Sequence, residues 1–286
     1  MRIATVKDQG QEKAVVVTSE GVVKVESINQ TFHTEFPITI IDLITAERVE
    51  ELRNWVGDNS NNLQEAGFIE ANDYEPLYRN PGKIWGIGLN YVDHASDLSE
   101  KAPSTEPASF MKPTTTIIGP NDTIEIPHQS ERTTAEAELG IVIGKECKNV
   151  SEEEAIHYVA GYTTIIDMTA EDILEKNPRY LTRSKSFDTF FSFGPELVTT
   201  DEVNDVHDLN VSTRINGELH RKNVVSNMTF TPWNLVSFHS NVMTLKPGDI
   251  ISTGTPGAIH IQDGDVVECH IDGFTPLRNN VRDLKQ

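Results

Sequence analysis

The hydrophobic positions of the first eighty residues predict a hairpin followed by a helix. Two short runs rich in valine, 14–17 and 22–25, flank the turn-forming residues 19–21, as two antiparallel strands would. From Ile40 to Val56 the apolar residues recur at helical spacing, and Gly57 with the polar run behind it predicts the end of that helix. This part of the chain is therefore expected to be a small α+β unit.

A polar segment through Asn80-Pro81-Gly82 separates this unit from the rest of the chain, and we place a domain boundary there. Residues 1–80 would form the small N-terminal domain and residues 81–286 the main domain. Beyond the boundary the pattern is mostly short strands and turns, with hairpin signals at Asn216-Gly217 and Asp272-Gly273. The few helices predicted there are 151–158, 169–175 and 233–240. The pattern predicts a β-rich α+β fold with peripheral helices.

The charge of the chain argues against polyanionic partners. Its 286 residues contain 24 Lys+Arg and 44 Asp+Glu, a formal net charge of −20. Such a chain repels phosphate backbones and anionic lipids unless basic residues are concentrated in a patch, and the longest basic run is Arg221-Lys222. Hydrophobic residues make up 37% of the chain, enough to build a core. We therefore expect neither a nucleic acid nor a membrane as partner.

The number of cysteines and the lengths of the apolar runs indicate where in the cell the protein is expected. Cys147 and Cys269 are too few for a disulfide framework and form no CxxC metal pattern. The sequence becomes polar within a few residues of its start, and apolar stretches such as Leu139 to Ile143 are too short to cross a bilayer. These features predict a soluble cytoplasmic protein.

The strand predicted from Thr133 to Gly144 carries two acids on one face. With a period of two, Glu136 and Glu138 point to the same side, and Ala137, Leu139, Ile141 and Ile143 point to the other. Same-face side chains on a strand lie about 7 Å apart, so the two carboxylates repel each other unless they face solvent or share a cation. On these residues alone, a solvated strand face remains an adequate interpretation.

A third carboxylate, Asp167, ends a strand-like run that begins at Gly161. It could cap the helix that follows, or it could be a third ligand of a hard cation. Carboxylates without His or Cys partners favour Mg²⁺ or Mn²⁺ in octahedral oxygen geometry, with positions open for water and substrate. The nine histidines are scattered, which disfavours zinc.

Two further segments carry groups suited to catalysis. A strand with two glycines runs into His94, and Asp97 three residues later could orient it as a base, although a surface histidine is the alternative. The sequence STGTPG, residues 252–257, follows an apolar strand. There Gly254 would let the backbone approach a ligand and Thr255 would supply a hydroxyl, although an ordinary Pro-Gly turn explains the same residues.

Taken together and in this order, these segments strongly resemble the fumarylacetoacetate hydrolase (FAH) family. The similarity extends from about Lys83 to Val281. Its motifs are GLNYVDHASD, SFMKP, EAELGIVIG, GYTTIIDMTAED, RSKSFDTFFSFGP, RINGE and STGTPGAI. The resemblance implies a mixed β-sandwich roll, commonly a homodimer, preceded by the small N-terminal domain that many bacterial members carry.

The resemblance also implies roles for single residues. One divalent ion, Mg²⁺ or Mn²⁺, would be held by three carboxylates, those of Glu136, Glu138 and Asp167. Lys185 matches the active-site lysine of the family and His94 matches the base. Asp97 stands where relatives usually place a glutamate on a lid, and Thr255 matches a threonine that meets the substrate carboxylate. Lys112, in the F-x-K-P stretch, is expected in a structural position or at the rim of the site.

Departures from the family pattern concern substrate recognition. Relatives often read T-A-R-D-x-Q after the metal aspartate, whereas this chain has Glu171 in place of the arginine and Leu174 in place of the glutamine. Arg179 and Arg183, in the loop before Lys185, are candidates to supply the missing cation. The segment NPRYLTRSKSFDTFFSFGP is similar to that of members described as acting on oxaloacetate and related small diacids.

The function implied by the resemblance is that of a metal-dependent hydrolase that cleaves a carbon–carbon bond of an acylpyruvate-type 2,4-dioxo acid. The oxo and carboxylate oxygens of this small anionic substrate can chelate the metal, which then stabilises the departing enolate. Two other reactions stay open: decarboxylation of oxaloacetate, and isomerisation of a 2-hydroxyhepta-2,4-diene-1,7-dioate-type acid. A non-enzymatic alternative is a protein that binds a metal-chelating diacid for regulation.

Overall fold

Two mixed β-sheets form the framework of the protein, a computed structural model of which describes residues 1–70, 73–92 and 103–286. The strands are β1 (Arg2–Asp8), β2 (Gln11–Thr18), β3 (Gly21–Lys24), β4 (Ile84–Gly88), β5 (Ala108–Lys112), β6 (Ile117–Ile118), β7 (Thr123–Ile126), β8 (Thr133–Ile143), β9 (Val159–Ala170), β10 (Phe191–Phe193), β11 (Glu196–Thr199), β12 (Asn210–Ile215), β13 (Glu218–Val224), β14 (Ile250–Ser252), β15 (Ile259–His260), β16 (Val266–Ile271) and β17 (Leu277–Asp283). The α-helices are α1 (Val25–Phe32), α2 (Ile40–Thr45), α3 (Val49–Asp58), α4 (Glu171–Lys176), α5 (Leu181–Lys185) and α6 (Pro232–Val242).

The larger sheet contains twelve strands. Nine follow the order β3-β2-β1-β11-β9-β8-β14-β4-β5, while β10 pairs with β9 and β6, and β15 pairs with β8. The smaller sheet has the order β13-β12-β16-β17-β7. Short 3₁₀ helices connect these strands at Ser60–Ala66, Thr114–Thr116, Ala155–Tyr158, Pro178–Tyr180, Thr200–Glu202, Val206–Asp208 and Val225–Asn227. The prediction of a β-rich α+β fold is confirmed.

The centre of the larger sheet is the antiparallel pair β8 and β9. Every residue of β8 is buried, so both of its faces are covered. Leu139 and Ile141 pack into one hydrophobic cluster, and Val142, on the other face, packs into a second. This two-sided burial means that the acids of β8 are held inside the protein, and the interpretation of a solvated strand face is wrong.

The N-terminal hairpin extends the larger sheet. The predicted hairpin is confirmed as β2 and β3, and β1 pairs with β11, where Ile3 stands opposite Leu197. Ile3, Leu52 of α3 and Phe193 of β10 belong to the same hydrophobic cluster, which joins residues 1–80 to the rest of the chain. The boundary near residue 80 remains a prediction, and the two sides of it share a core.

Two of the predicted helices differ in the structure. The helix predicted from Ile40 to Val56 is divided into α2 and α3, because Glu47 adopts a left-handed conformation (φ 54°). The region predicted as a helix at 151–158 contains only a 3₁₀ helix, Ala155–Tyr158. The helices predicted at 169–175 and 233–240 correspond to α4 and α6. In the part of the chain that the structure describes, no helix has the length and apolar character needed to span a membrane.

Candidate active site

Three acidic side chains meet inside the larger sheet. Glu136 and Glu138 project from β8, and Asp167 projects from β9, where it is the register partner of Glu136. One oxygen of each carboxylate lies within 4.8 Å of those of the other two. All three residues are buried. Because negative charge is costly away from water, this cluster requires positive partners.

Two lysines supply part of that positive charge. The ammonium group of Lys185 donates to Glu136 Oε2 and to Asp167 Oδ2, at 2.9 Å each. The ammonium group of Lys112 donates to the other oxygen of Asp167, Oδ1, and to the carbonyl of Met168 at 3.2 Å. The carboxylate of Asp167 is therefore held from both sides by buried cations.

Burial and charge act differently on these two lysines. Burial lowers the pKa of Lys112 to about 8, because its attraction to Asp167 offsets only part of the desolvation and the charge of Lys185 opposes it. Burial also lowers the pKa of Lys185, but the combined charges of three carboxylates, first that of Asp167, outweigh it and raise the pKa. Lys185 thus stays protonated at neutral pH, as a group that stabilises negative charge must.

Glu138 is bound by two uncharged donors. Its Oε2 accepts hydrogen bonds from Ser252 Oγ at 2.5 Å and from the backbone N–H of Gly254 at 2.9 Å. Gly254 has φ +97°, and a Cβ added there would lie 2.8 Å from the Cβ of Asn90, so the position requires glycine. Burial, and then the charges of Asp167 and Glu136, raise the pKa of Glu138 to about 8.

This donor set fits a divalent cation. The three carboxylates and the two lysines that contact them leave one formal negative charge uncompensated. Carboxylate oxygens are the ligands that Mg²⁺ and Mn²⁺ prefer. Within the described ranges, this is the one group of three or more acidic, His or Cys side chains close enough together to hold a metal.

A cavity of about 620 Å³ lies beside the carboxylates. Its volume is within the range of about 300–1,000 Å³ that is common for ligand sites. Its polar end is formed by Glu136, Glu138, Thr169 and Lys185, and Thr169 Oγ1 donates to Glu136 Oε1 at 2.9 Å. The other walls come from β4, β5, Thr255 and the segment that begins with α4.

The structure brings some of the residues singled out from the sequence to this cavity. Thr255 lines it and is buried, and its hydroxyl bonds with the backbone of Gly257. Arg179 and Arg183 are exposed, and neither lines the cavity, because Pro178 and Leu181 occupy that wall. Two further residues singled out as catalytic lie outside the described part of the chain, namely His94 and Asp97.

Two contributors to the site were not recognised from the sequence. Lys112 was expected in a structural position or at the rim, but its ammonium group contacts a carboxylate of the cluster. Phe110, two residues earlier on β5, lies with its ring centroid 4.7 Å from the Nζ of Lys185. Gly86 of β4 is its register partner, and a Cβ there would overlap the Phe110 ring. The sequence signal that could have identified both residues is the strand period of two, which places Phe110 and Lys112 on the same face of β5.

Comparison with known proteins shows related sequences over most of the chain. The family model described as fumarylacetoacetate (FAA) hydrolase C-terminal matches residues 83–282. An uncharacterized protein of Methanocaldococcus jannaschii is 48% identical over 205 residues, which are 71% of this chain and 84% of that protein. A mitochondrial oxaloacetate tautomerase of Xenopus laevis is 41% identical over 211 residues, 71% of this chain and 66% of that protein.

Solved structures resemble the whole chain. Maleylpyruvate hydrolase from Sphingobium sp. SYK-6, in complex with manganese(II) ion and pyruvate, has a TM-score of 0.80 and 28% identity, over 99% of each chain. The 5-carboxymethyl-2-hydroxymuconate delta-isomerase from Mycobacterium smegmatis has a TM-score of 0.74 and 30% identity, also over 99% of each chain. The likeness therefore extends through residues 1–80 as well.

Proposed function

Since the chain belongs to the fumarylacetoacetate hydrolase family, we propose that it is a divalent-metal-dependent hydrolase that cleaves a carbon–carbon bond of an acylpyruvate-type 2,4-dioxo acid. The observation that carries the proposal is the buried cluster of three carboxylates, with Lys185 bonded to it at the polar end of the cavity. Charged groups that are held in fixed positions by β-strands are suited to a reaction in which negative charge develops on a substrate oxygen.

The metal would be held by Glu136, Glu138 and Asp167. When bound, Mg²⁺ or Mn²⁺ supplies Lewis-acid stabilisation of negative charge on the oxo oxygen of a 2-oxo acid. Manganese is favoured as a working ion for experiments because the Sphingobium neighbour contains it together with pyruvate, itself a 2-oxo acid.

The reaction would proceed by hydrolysis. The oxygen of water bonds to the acyl carbonyl carbon, and the bond between that carbon and the pyruvate methylene carbon breaks. Its electron pair leaves as the enolate of pyruvate, which takes up a proton, so the products are a carboxylic acid and pyruvate. Lys185 places its positive charge where the enolate oxygen forms. On sequence grounds His94, oriented by Asp97, is the proposed base that takes the proton from water.

The hydroxyl of Thr255 is proposed to meet the substrate carboxylate, as it lines the cavity beside Gly254. The apolar residues of β4 and β5 would exclude bulk water from the reacting carbons, which strengthens the electrostatic interactions there. Arg179 and Arg183 would have to move to take part, since both are exposed and neither lines the cavity.

A second candidate is an enolate reaction on oxaloacetate, and the identity of 41% to the Xenopus tautomerase favours it. Tautomerisation and decarboxylation of oxaloacetate both pass through an enolate and need no activated water. Isomerisation of a 2-hydroxyhepta-2,4-diene-1,7-dioate-type acid is a third, supported by the likeness to the Mycobacterium smegmatis isomerase. All three would use Lys185 and the carboxylates in the same way.

A substrate panel distinguishes these reactions. An acylpyruvate, fumarylpyruvate, oxaloacetate and a hydroxymuconate would each be incubated with Mg²⁺, Mn²⁺ or EDTA. We expect metal-dependent release of pyruvate from an acylpyruvate, and its loss in Glu136→Gln. The matched control is Glu146→Gln, which removes an exposed charge near the end of β8.

The variant His94→Ala separates hydrolysis from the oxaloacetate reactions. Loss of hydrolysis in both His94→Ala and Glu136→Gln, with survival of oxaloacetate turnover in His94→Ala, would indicate a dual activity that depends on the metal. If no 2-oxo acid of the panel were turned over with either metal, the enzyme proposal would be wrong, and a metal-dependent diacid-binding protein would replace it.

A further inference from the structure

We propose that the cavity takes an acylpyruvate with an uncharged, apolar acyl arm, and that Glu171 and Glu175 discriminate against substrates with a second carboxylate. This inference rests on the proposed function, because it assigns the specificity of the same cavity. The reacting end of the substrate would lie at Lys185 and the carboxylates, and the arm would extend along α4 and the segment behind it.

The wall made by α4 carries negative charge into the cavity. Glu171, Leu174 and Glu175 are spaced i, i+3 and i+4, so they share one face of the helix, and all three line the cavity. Arg132 pairs with both acids: its Nε lies 2.7 Å from Glu171 Oε2, and its guanidinium also contacts Glu175. One guanidinium between two carboxylates leaves this wall with a net negative charge.

A distal carboxylate would find no free cation on the described lining of the cavity. Lys185 is already bound to Glu136 and Asp167, and Arg132 is bound to its two glutamates. A carboxylate placed against this wall would lose its water and face like charges. The same position is therefore unfavourable for a diacid and tolerant of a neutral group.

The remaining surface is apolar and large. Leu174, Pro178 and Leu181 line it from the α4–α5 segment, and Ile87, Leu89 and Phe110 line it from β4, β5 and the loop after β4. A hydrocarbon arm would bury its surface against these side chains. With about 620 Å³ available, the cavity has room for an arm that continues beyond the dioxo group.

The test compares two pairs of compounds that differ only in a terminal carboxylate. The substrates are an unbranched alkanoylpyruvate and the diacid of equal length, and the uncleavable probes are 2-oxooctanoate and 2-oxooctanedioate. With Mn²⁺ present, kcat/KM for the substrates and Kd for the probes, by calorimetry, are measured on the full chain. We expect the monoacid to be preferred at least about tenfold in both measurements.

Four variants test whether Glu171 and Glu175 cause the discrimination between the monoacid and the diacid. In Glu171→Gln, and in the double variant Glu171→Gln/Glu175→Gln, we expect the ratio of kcat/KM for the monoacid to that for the diacid to fall at least about tenfold. Most of the change should be a higher kcat/KM for the diacid. Glu131→Gln removes an exposed charge next to Arg132 and should leave the preference unchanged. Glu175 is largely exposed, so Glu175→Gln alone is a variant expected to fold normally.

The outcomes of the two measurements separate the two proposals. Cleavage of both substrates at equal kcat/KM would overturn the specificity inference and leave the hydrolase proposal in place. Absence of cleavage with tighter binding of 2-oxooctanoate would overturn the hydrolase and support the apolar arm site. A preference for the diacid, or a preference that Glu171→Gln does not change, would show that α4 does not select the substrate.

Discussion

Glu136 and Asp167 stand directly opposite each other on the paired strands β8 and β9, and the ammonium group of Lys185 bonds to both carboxylates. Like charges at directly opposed positions destabilise a sheet unless something positive lies between them. Lys185 compensates one of these charges, and Lys112 contacts the other carboxylate oxygen of Asp167, Oδ1. The adjacent Glu138 remains without a cationic partner among the described hydrogen bonds and ion pairs, which makes the strand pair sensitive to a bound metal.

Binding of Mg²⁺ or Mn²⁺ should stabilise the fold. At a metal concentration of 100 times Kd, the free energy of unfolding should rise by about 2.7 kcal/mol. Thermal melting with added Mn²⁺, and again with EDTA, measures this effect. Asp167→Asn should abolish most of the stabilisation, while Glu146→Gln should keep it. A melting temperature that is indifferent to metal in the unaltered protein would contradict the assignment.

Lys185 and Lys112 should differ when each is replaced by methionine. Lys185→Met should lower kcat by about 10²–10³-fold, because under the proposed function it removes a positive charge that stabilises the developing enolate. Lys112→Met should mainly lower the free energy of unfolding, by about 1–3 kcal/mol, because Asp167 loses one buried partner and keeps the other. Urea denaturation and steady-state kinetics on both variants check this. Equal losses of kcat in the two would show that Lys112 also acts on the substrate.

Gly86 and Gly88 offer a matched pair on one strand. A Cβ at Gly86 would overlap the Phe110 ring, whereas a Cβ at Gly88 would meet only the carbonyl of Ala108 at 3.9 Å. Gly86→Ala should cost about 1–3 kcal/mol of stability through overpacking. It should also reduce activity, because Phe110 packs beneath Lys185. In the same urea denaturation, Gly88→Ala should change the free energy of unfolding by less than half as much as Gly86→Ala does. A similar loss of stability in the two variants would refute the steric argument.

The two cysteines should be unreactive in the native protein. Burial raises the pKa of Cys147 from 9 to about 11 and that of Cys269 to about 12. Since the thiolate is the reactive form, a pKa of about 11 leaves about 100-fold less thiolate at neutral pH than the ordinary value does. Titration with a thiol reagent should detect two thiols only after denaturation. Rapid labelling of the native protein would show that one of them is accessible.

The acids of β8 could be predicted because strand periodicity is a local property. Residues two apart share a face whatever the rest of the fold does, so Glu136 and Glu138 were found together. The position of Asp167 opposite Glu136 depends on the register of two strands far apart in sequence, and the resemblance to a family supplied it. For Lys112 the sequence leaves both a structural position and the rim of the site open. Lysines prefer the surface, and its burial depends on tertiary partners such as the carboxylate of Asp167 and the carbonyl of Met168.

The helices show where local signals were insufficient. Before β9, Ser151 and Glu154 form the capping pair typical of a helix start: the N–H of Glu154 donates to Ser151 Oγ at 3.3 Å, and the N–H of Ser151 donates to Glu154 Oε2 at 3.2 Å. The chain nevertheless enters β9 at Val159, which leaves room for only a 3₁₀ turn. Between α2 and α3, Arg48 turns its guanidinium to Glu51 and to the carbonyl of Glu35, and this tertiary contact accompanies the break.

The place of β11 in the larger sheet affects how the chain can be shortened. β11 is paired with β1 on one side and with β9 on the other, and β9 carries Asp167. The family match starts at residue 83, which invites expression of that part alone. Such a fragment would keep the three carboxylates but would expose an unpaired strand edge at β11 and the apolar side chain of Leu197. Unpaired strand edges can pair with strands of other molecules, so we expect this fragment to aggregate.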